Sequence, residues 1–210
     1  TKRREVLLPR TMNPEILSQV KDYGKLALDI GFVDYDPETG LLDLADLERK
    51  VSEKTAAVFI ENPSYLGFIE EQGKAISELA HKSGALCVVS TDPSSLGILA
   101  PPSHYGADIV CGELQPLGIH MGYGGGLSGF IATPDDPKYI AEYPTHLYGI
   151  TTTGVPGEYG FGRALMERTG YVGRENAREY LGTNTGLWAI TAGVYLALMG
   201  PKGMEDLGRN

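Results

Sequence analysis

Asp92 follows a strongly apolar run, ALCVVST, and is the first residue in the chain whose type and position suggest chemistry. A carboxylate at this point could pair with the protonated ring nitrogen of a bound heterocycle, because opposite charges stabilise each other's ionised form. The same side chain could instead cap the turn that follows, Pro93–Gly97, as aspartates often do. The sequence alone leaves both roles open.

A glycine-dense segment, Gly122–Gly129, offers a second kind of chemistry. Glycine backbone such as that of Gly124 and Gly125 can approach a phosphate closely and donate N–H groups to it. The segment matches neither a Walker loop nor a dinucleotide fingerprint, because a predicted strand follows it. It could equally be a loop that needs positive φ angles. His120, just before it, is the best acid–base or stacking candidate, although a structural role fits as well.

Other catalytic arrangements have little support in the sequence. No local motif indicates a Ser-His-Asp or Cys-His site. Cys87 and Cys111 lie in apolar runs, so we expect both to be small core residues rather than a disulfide or zinc ligands. We therefore predict no metal site, and the cysteine usage fits a cytoplasmic protein.

Alternating strands and helices are predicted to position these residues. The predicted strands are Glu5–Pro9, Leu26–Val33, Thr55–Glu61, Ala85–Thr91, Ala107–Gly112 and Ser128–Thr133. The predicted helices are Asn13–Gly24, Leu42–Val51 with Asp43 as a cap, and Ile69–Ser83. This order is typical of an α/β fold with a mostly parallel sheet covered on both faces. Ligands in such sheets bind beyond the strand carboxyl ends, which here means Glu61–Gly67, Asp92–Gly97 and Glu113–Gly126.

The pattern changes after Pro144. The segment from His146 to Phe161 is rich in Gly, Thr and Tyr without a period, which predicts a functional or partner-covering loop. Arg174–Leu181 is predicted to be helical. Leu187–Met199 is apolar nearly all round and predicts a buried helix that Thr183, Asn184 and Thr185 cap and Gly200-Pro201 breaks.

Bulk composition narrows the class of protein. The chain has 210 residues and a formal net charge of −9, which argues against a nucleic-acid partner and against an anionic membrane surface. It has no run long and apolar enough to predict a transmembrane helix. It opens without an initiator Met, and both ends suggest a piece of a longer protein. We predict a major domain over residues 1–170, incomplete at its N-terminus. A helical segment over 171–210 would lead toward a small C-terminal domain.

Three runs carry a specific resemblance: ENPSYLGFIE from Glu61, the long stretch from Ser90 to Thr133, and ENAREYLGTNTGLWAITAGVYLALMGPKGM from Glu175. They resemble the P-protein of the glycine cleavage system (glycine decarboxylase), in particular subunit 1 of its two-subunit bacterial form. The resemblance implies the large domain of the aspartate-aminotransferase-like fold, fold type I of the pyridoxal phosphate enzymes. That fold is a three-layer α/β structure with a mostly parallel sheet.

The resemblance also implies that this chain lacks the lysine that forms the Schiff base. Enzymes of this family hold the cofactor aldehyde as a Schiff base on a lysine of a His-Lys pair, and that pair aligns with Gln115 and Pro116 here. No lysine occurs between Lys82 and Lys138. Asp92 falls where the family has its ring-nitrogen aspartate. The resemblance therefore implies no catalytic residue on this chain and only a vestigial cofactor site formed by Asp92, His120, Gly124 and Gly125.

The same resemblance implies the reaction, the cofactor and the partner proteins of this chain. The whole enzyme decarboxylates glycine and passes the aminomethyl group to the lipoyl arm of the H-protein. Pyridoxal phosphate would be bound by the partner, P-protein subunit 2. The two kinds of subunit would form a heterotetramer, and the subunit that contains this chain would be structural. Tyr148 and Tyr159 are our interface candidates. Two alternatives stay open: an active pyridoxal phosphate transferase or lyase with an unusual lysine such as Lys138, and a pure scaffold without any ligand.

Overall fold

The computed structural model of the chain describes residues 2–124, 126–179, 181 and 185–210. The strands are β1 (Glu5–Pro9), β2 (Asp29–Val33), β3 (Thr55–Glu61), β4 (Leu86–Ser90), β5 (Ile109–Glu113), β6 (Gly129–Ala132), β7 (Tyr148–Thr152) and β8 (Tyr159–Arg163). The α-helices are α1 (Pro14–Gly24), α2 (Leu44–Lys50), α3 (Gly73–Lys82), α4 (Pro137–Ile140) and α5 (Gly186–Arg209). Short 3₁₀ turns lie between several of these elements.

A mostly parallel sheet organises the first part of the chain, as predicted. Its strand order is β2-β1-β3-β4-β5-β6. The pairs from β2 to β5 are parallel, and β6 adds to β5 as an antiparallel edge strand. Parallel neighbours need a crossover between them, which the helices between β1 and β4 supply. The carboxyl ends of β3 and β4 consequently lie side by side.

Two helix starts confirm predicted caps. The Asn13 side chain accepts a hydrogen bond from the backbone N–H of Glu15 at 2.9 Å. The Asp43 side chain accepts one from the backbone N–H of Asp46 at 3.0 Å. Each cap pairs an N–H group that the first helical turn leaves without a partner. These helices therefore begin where the local sequence predicts.

The start of α3 differs from the predicted Ile69. The backbone N–H of Glu70 donates to the Asn62 side-chain oxygen at 3.1 Å, and the Asn62 amide donates back to the Glu70 carbonyl at 3.2 Å. These bonds fix the segment before Gly73 as a loop that crosses the end of β3. The bonds that Glu70 makes with Asn62, outside the predicted helix, thus keep the helix from starting at Ile69.

The core lies on one face of the sheet. Val58, Ile60, Cys87 and Val89 point from β3 and β4 to this face and are at most 2% exposed, packed with Ile76 of α3. Their alternation with less buried neighbours follows from the two-residue period of a strand. On the opposite face, Phe59 and Val88 are only half-buried. The described residues therefore cover one face fully and the other in part, whereas complete cover on both faces was expected.

The described residues form two compact units, one reaching from the N-terminus to Ala132 and including Leu187–Asn210, the other spanning Thr133–Gly186. The second unit contains a two-stranded antiparallel hairpin of β7 and β8. The prediction of an aperiodic loop from His146 to Phe161 is therefore wrong. Alternate glycines hid the strands, because they remove the side chains by which a period of two is recognised.

The predicted helix over Arg174–Leu181 is also wrong. Among the described residues of this segment, only Arg174–Asn176 form a 3₁₀ turn, and Ala177 is extended. The N–H of Arg178 donates to the carbonyl of Arg168 at 3.0 Å, and the N–H of Gly170 donates to the Glu179 carboxylate. The backbone here bonds to a neighbouring segment instead of to its own preceding turn.

Helix α5 differs from its prediction in burial. It does change direction at Gly200, whose φ of 60° and ψ of −178° are not helical, as the Gly200-Pro201 break predicts. The prediction that Leu187–Met199 is buried is wrong, since Leu187, Ile190 and Leu198 are more than 60% exposed. Of its predicted caps, Thr183 and Asn184 lie outside the described residues.

Candidate functional site

The adjacent carboxyl ends of β3 and β4 form an open cleft of about 300 Å³. Its lining comes from the cap residue of α1, the two strand ends and the loops that follow them: Asn13, Glu61, Pro63, Ser64, Tyr65, Ser90, Thr91 and Asp92. The register brings Glu61 opposite Ser90. This is where a parallel sheet is expected to bind a ligand.

Asp92 lies on the rim of the cleft with an exposed side chain. Its Oδ1 accepts hydrogen bonds from the backbone N–H of Ser94 at 2.8 Å and from the Ser94 hydroxyl at 2.7 Å. The Ser95 hydroxyl donates to the Asp92 carbonyl at 2.7 Å. The carboxylate therefore caps the next turn, as the second of its two predicted roles requires. Its role toward a cofactor ring stays a prediction.

Glu61 is the buried acid of the cleft, whereas the sequence pattern predicted only that the segment beginning with it lies at the ligand edge of the sheet. It is 8% exposed, and its Oε2 accepts a hydrogen bond from the backbone N–H of Asn13 at 3.1 Å. Burial raises the pKa of this carboxyl, against the opposing effect of the backbone donors at Asn13 and Tyr65. A signal was present in the sequence, since an acid that ends an apolar strand faces the ligand edge of a parallel sheet.

Ser64 closes the loop beyond Glu61. Its backbone N–H donates to the Phe68 carbonyl at 2.9 Å, and its hydroxyl accepts from the Phe68 N–H at 3.3 Å. Gly67, with a φ of 88°, permits the tight return. The Ser64 side chain is thus engaged in the loop itself and is 9% exposed.

The turn after β5 carries Gln115 and Pro116. It is anchored by Leu117 and Ile119, which are 2% and 4% exposed, and by a bond from the Ile119 N–H to the Gln115 carbonyl at 3.2 Å. A Gln amide is not a nucleophile, and Pro has no amine within a chain. The residues of this turn therefore do not fit covalent attachment of an aldehyde cofactor.

Of the other predicted positions, His120 is not one of the described residues that line the cleft. His120 is exposed and precedes the glycine segment. Gly122–Gly124 form a 3₁₀ turn in which Tyr123 has a φ of 56°. Gly125 lies outside the described residues. Binding of a phosphate at Gly124 and Gly125 consequently stays a prediction.

The β7–β8 hairpin has two unlike faces. The register pairs Tyr148 with Arg163, Ile150 with Phe161 and Thr152 with Tyr159, so these side chains share one face. The other face carries Gly149, Thr151, Gly160 and Gly162. Tyr148, Ile150, Tyr159 and Phe161 are 62–79% exposed. The two tyrosines predicted as interface residues therefore lie together on an open aromatic face.

The described residues show no reactive thiol at Cys87, no metal-binding group and no membrane-spanning helix. Cys87 is completely buried, and desolvation, followed by the nearby Asp108 carboxylate, raises the pKa of its thiol to about 12. Among the described residues, no group of three or more His, Cys, Asp or Glu side chains is arranged to hold a metal ion. None of the helices in that part of the chain is both long and apolar enough to cross a membrane.

Comparison with protein families decides the relationship. The family model for the glycine cleavage system P-protein matches residues 1–210. The chain belongs to this family. Its P-protein fold is that of the fold type I pyridoxal phosphate enzymes, as predicted.

Similar proteins agree with this assignment. Two are described as glycine dehydrogenase (decarboxylating) subunit 1. The one from Staphylothermus marinus is 39% identical over 98% of this chain and 44% of its own length. The one from Desulforamulus reducens is 41% identical over 99% of this chain and 45% of its own length. This P-protein chain thus spans less than half the length of these relatives.

Solved structures support the fold. An inhibitor-bound glycine decarboxylase (P-protein) of the glycine cleavage system matches with a TM-score of 0.83 and 35% identity, over 97% of this chain and 45% of that one. A sphingosine-1-phosphate lyase from Burkholderia pseudomallei matches with a TM-score of 0.63 and 15% identity, over 99% of this chain and 44% of that one. The second match, at its low identity, shows the shared fold alone.

Proposed function

We propose that this chain belongs to a structural subunit of glycine decarboxylase that does not itself hold the cofactor. The observation that carries the proposal is the pair Gln115-Pro116 in the turn after β5. This pair lies in a stretch that has no lysine between Lys82 and Lys138. Membership of the P-protein family supplies the reaction, and the relatives described as subunit 1 supply the division into subunits.

The cofactor of the complex is pyridoxal phosphate, and we assign it to the partner, P-protein subunit 2. Its ring acts as an electron sink for the charge left when a substrate loses CO₂. The residues present in this chain do not fit a covalently held cofactor, because the turn at Gln115 offers no amine. Asp92, His120, Gly124 and Gly125 would then be remnants of a cofactor site.

The partners of the proposed subunit follow from the same reaction. Subunit 2 would pair with it in a heterotetramer, glycine would be the substrate, and the lipoyl H-protein would accept the aminomethyl group. We place the complex in the cytoplasm and expect neither nucleic acid nor membrane as a partner. Within this chain, the proposed division remains a major domain over 1–170 and a helical segment over 171–210 that leads toward a small C-terminal domain.

Cofactor attachment gives a direct test. The complex of full-length subunits 1 and 2 is incubated with pyridoxal phosphate, reduced with borohydride and digested for mass spectrometry. We expect every cofactor-modified lysine to lie in subunit 2, because reduction traps only a cofactor bound to an amine. Glycine decarboxylation should require both subunits. A modified lysine within this chain, or decarboxylation by subunit 1 alone, would contradict the proposal.

Lys138 is the matched control for the active-enzyme alternative. Its side chain is 65% exposed, lies 3.5 Å from the Asp136 carboxylate and is placed over the Tyr139 ring at 4.7 Å. A lysine this exposed is not enclosed by a pocket that would hold a cofactor aldehyde against its amine. The Lys138→Arg variant is therefore expected to leave both the modification pattern and the decarboxylation rate unchanged.

The aromatic face of the β7–β8 hairpin is our proposed contact with subunit 2. Replacing Tyr148 and Tyr159 together with alanine is expected to weaken the subunit complex by about 10- to 100-fold, because exposed tyrosines are frequent hot spots of protein interfaces. Sedimentation or calorimetric titration measures the change in Kd. The control is Thr151→Ala, on the opposite face. Equal affinities of the double variant and the control would exclude this face from the contact.

A further inference from the structure

Helix α5 carries a row of large aliphatic side chains that face away from the residues it packs on. Leu187, Ile190, Val194 and Leu198 are 68%, 66%, 54% and 82% exposed. Their spacing of three and four positions places them on one side of the helix. We call this row the α5 stripe.

The other side of α5 is anchored on the same compact unit. Ala192 is 3% exposed. The Tyr195 ring packs against Gly118, so that a Cβ built on Gly118 would lie 2.7 Å from the ring. The Trp188 ring lies 3.3 Å from a Cβ built on Gly126. The helix is therefore held in place by one face, so the α5 stripe is its outward face and not a consequence of a loosely attached helix.

The residues around the α5 stripe indicate that another polypeptide segment covers it permanently. No charged residue occurs from Gly186 to Pro201. Cβ atoms built on Gly186 and Gly193 would meet nothing within 4 Å, so these positions allow another backbone to approach closely. Contiguous apolar surface of this kind is typical of an obligate contact, whereas transient interfaces carry charged and polar groups.

The fold and the relatives indicate which segment packs on the α5 stripe. Parallel sheets are normally buried on both faces within one domain, yet Phe59 and Val88 on the second face of this sheet are only half-buried. The relatives match nearly all of this chain but only 44% and 45% of their own length. We propose that the α5 stripe packs against a segment of the same polypeptide, in the part of subunit 1 that these 210 residues do not match.

Thiol accessibility tests this proposal in full-length subunit 1, purified without subunit 2. Leu198→Cys and Ile190→Cys each place a thiol on the α5 stripe. The native Cys87 contributes little background, because it is buried and the pKa of its thiol is raised to about 12. The half-buried Cys111 is replaced by serine in every variant. Lys54→Cys, in the exposed loop before β3, is the control. The rate of reaction with a disulfide reagent is compared with that of the same variant in denaturant.

We expect both α5 cysteines to react about 100-fold more slowly in native subunit 1 than in denaturant, while the Lys54→Cys rate changes by less than about 5-fold. The protection should not depend on protein concentration. Protection that is lost on dilution would assign the stripe to a second copy and overturn the proposal. Protection that needs added subunit 2, or none in any state, would also overturn it. These outcomes do not depend on which subunit holds the cofactor.

Discussion

Replacing Gly112 with alanine is expected to lower the free energy of unfolding by about 3 kcal/mol, because a side chain has no room at this position. A Cβ on Gly112 would lie 2.1 Å from the Thr91 carbonyl oxygen and 2.7 Å from the Phe130 ring. The Thr91 N–H donates to the Cys111 carbonyl at 2.9 Å, so that backbone cannot move away without breaking a bond between β4 and β5. Urea unfolding followed by circular dichroism measures the loss.

Gly149→Ala is the matched control for this prediction. Gly149 is also a strand glycine, and a Cβ there would meet nothing within 4 Å. We expect its unfolding free energy to stay within about 0.5 kcal/mol of the parent, as for other open surface positions. If the two variants lose the same stability, then crowding at Gly112 is not the cause.

Asp46→Ala is expected to lower the free energy of unfolding by about 3 kcal/mol, because it removes a buried acceptor that three donors share. The Asp46 side chain is 5% exposed and accepts from Lys50 Nζ at 2.6 Å, from the Asp34 N–H at 2.9 Å and from Arg49 at 2.8 Å. Its loss leaves the Asp34 N–H without its acceptor. Thermal or urea unfolding measures the effect, and Asp22→Ala on the exposed side of α1 is the control.

The same carboxylate predicts an acid-dependent loss of stability. The hydrogen bond from Lys50, with that from the Asp34 backbone, lowers the pKa of Asp46 from 3.8 to about 2. Since the folded pKa is the lower one, its stabilisation is complete above about pH 4 and disappears as the pH falls through 2. Asp46→Asn should remove this dependence between those pH values. An unchanged slope of stability against pH in the variant would contradict the assignment.

Local sequence determined most of the sheet and the helix starts. Apolar runs such as Thr55–Glu61 became buried parallel strands, and Asn13 and Asp43 cap the helices that follow them. These features depend on neighbours within a few positions, so a single sequence contains the information for them. The resemblance carried by the run around Asp92 likewise identified the family before any geometry was known.

Only the structure decided several features that the sequence left open or that we predicted wrongly. The capping role of Asp92 was one of two open choices until its bonds to Ser94 were seen. The β7–β8 hairpin was not predicted because glycines interrupt the two-residue period of its side chains. The predicted helix over Arg174–Leu181 does not form, because its backbone and side chains bond to Arg168 and Gly170 instead.

The sequence by itself therefore determined that this chain is a parallel α/β protein of the P-protein family without a lysine between Lys82 and Lys138. Only the tertiary structure decided that Glu61 is a buried acid in the cleft and that the apolar residues of α5 face outward. The physical reason is that strand and cap formation are local, whereas burial and the pKa of a carboxyl depend on groups brought together from across the chain.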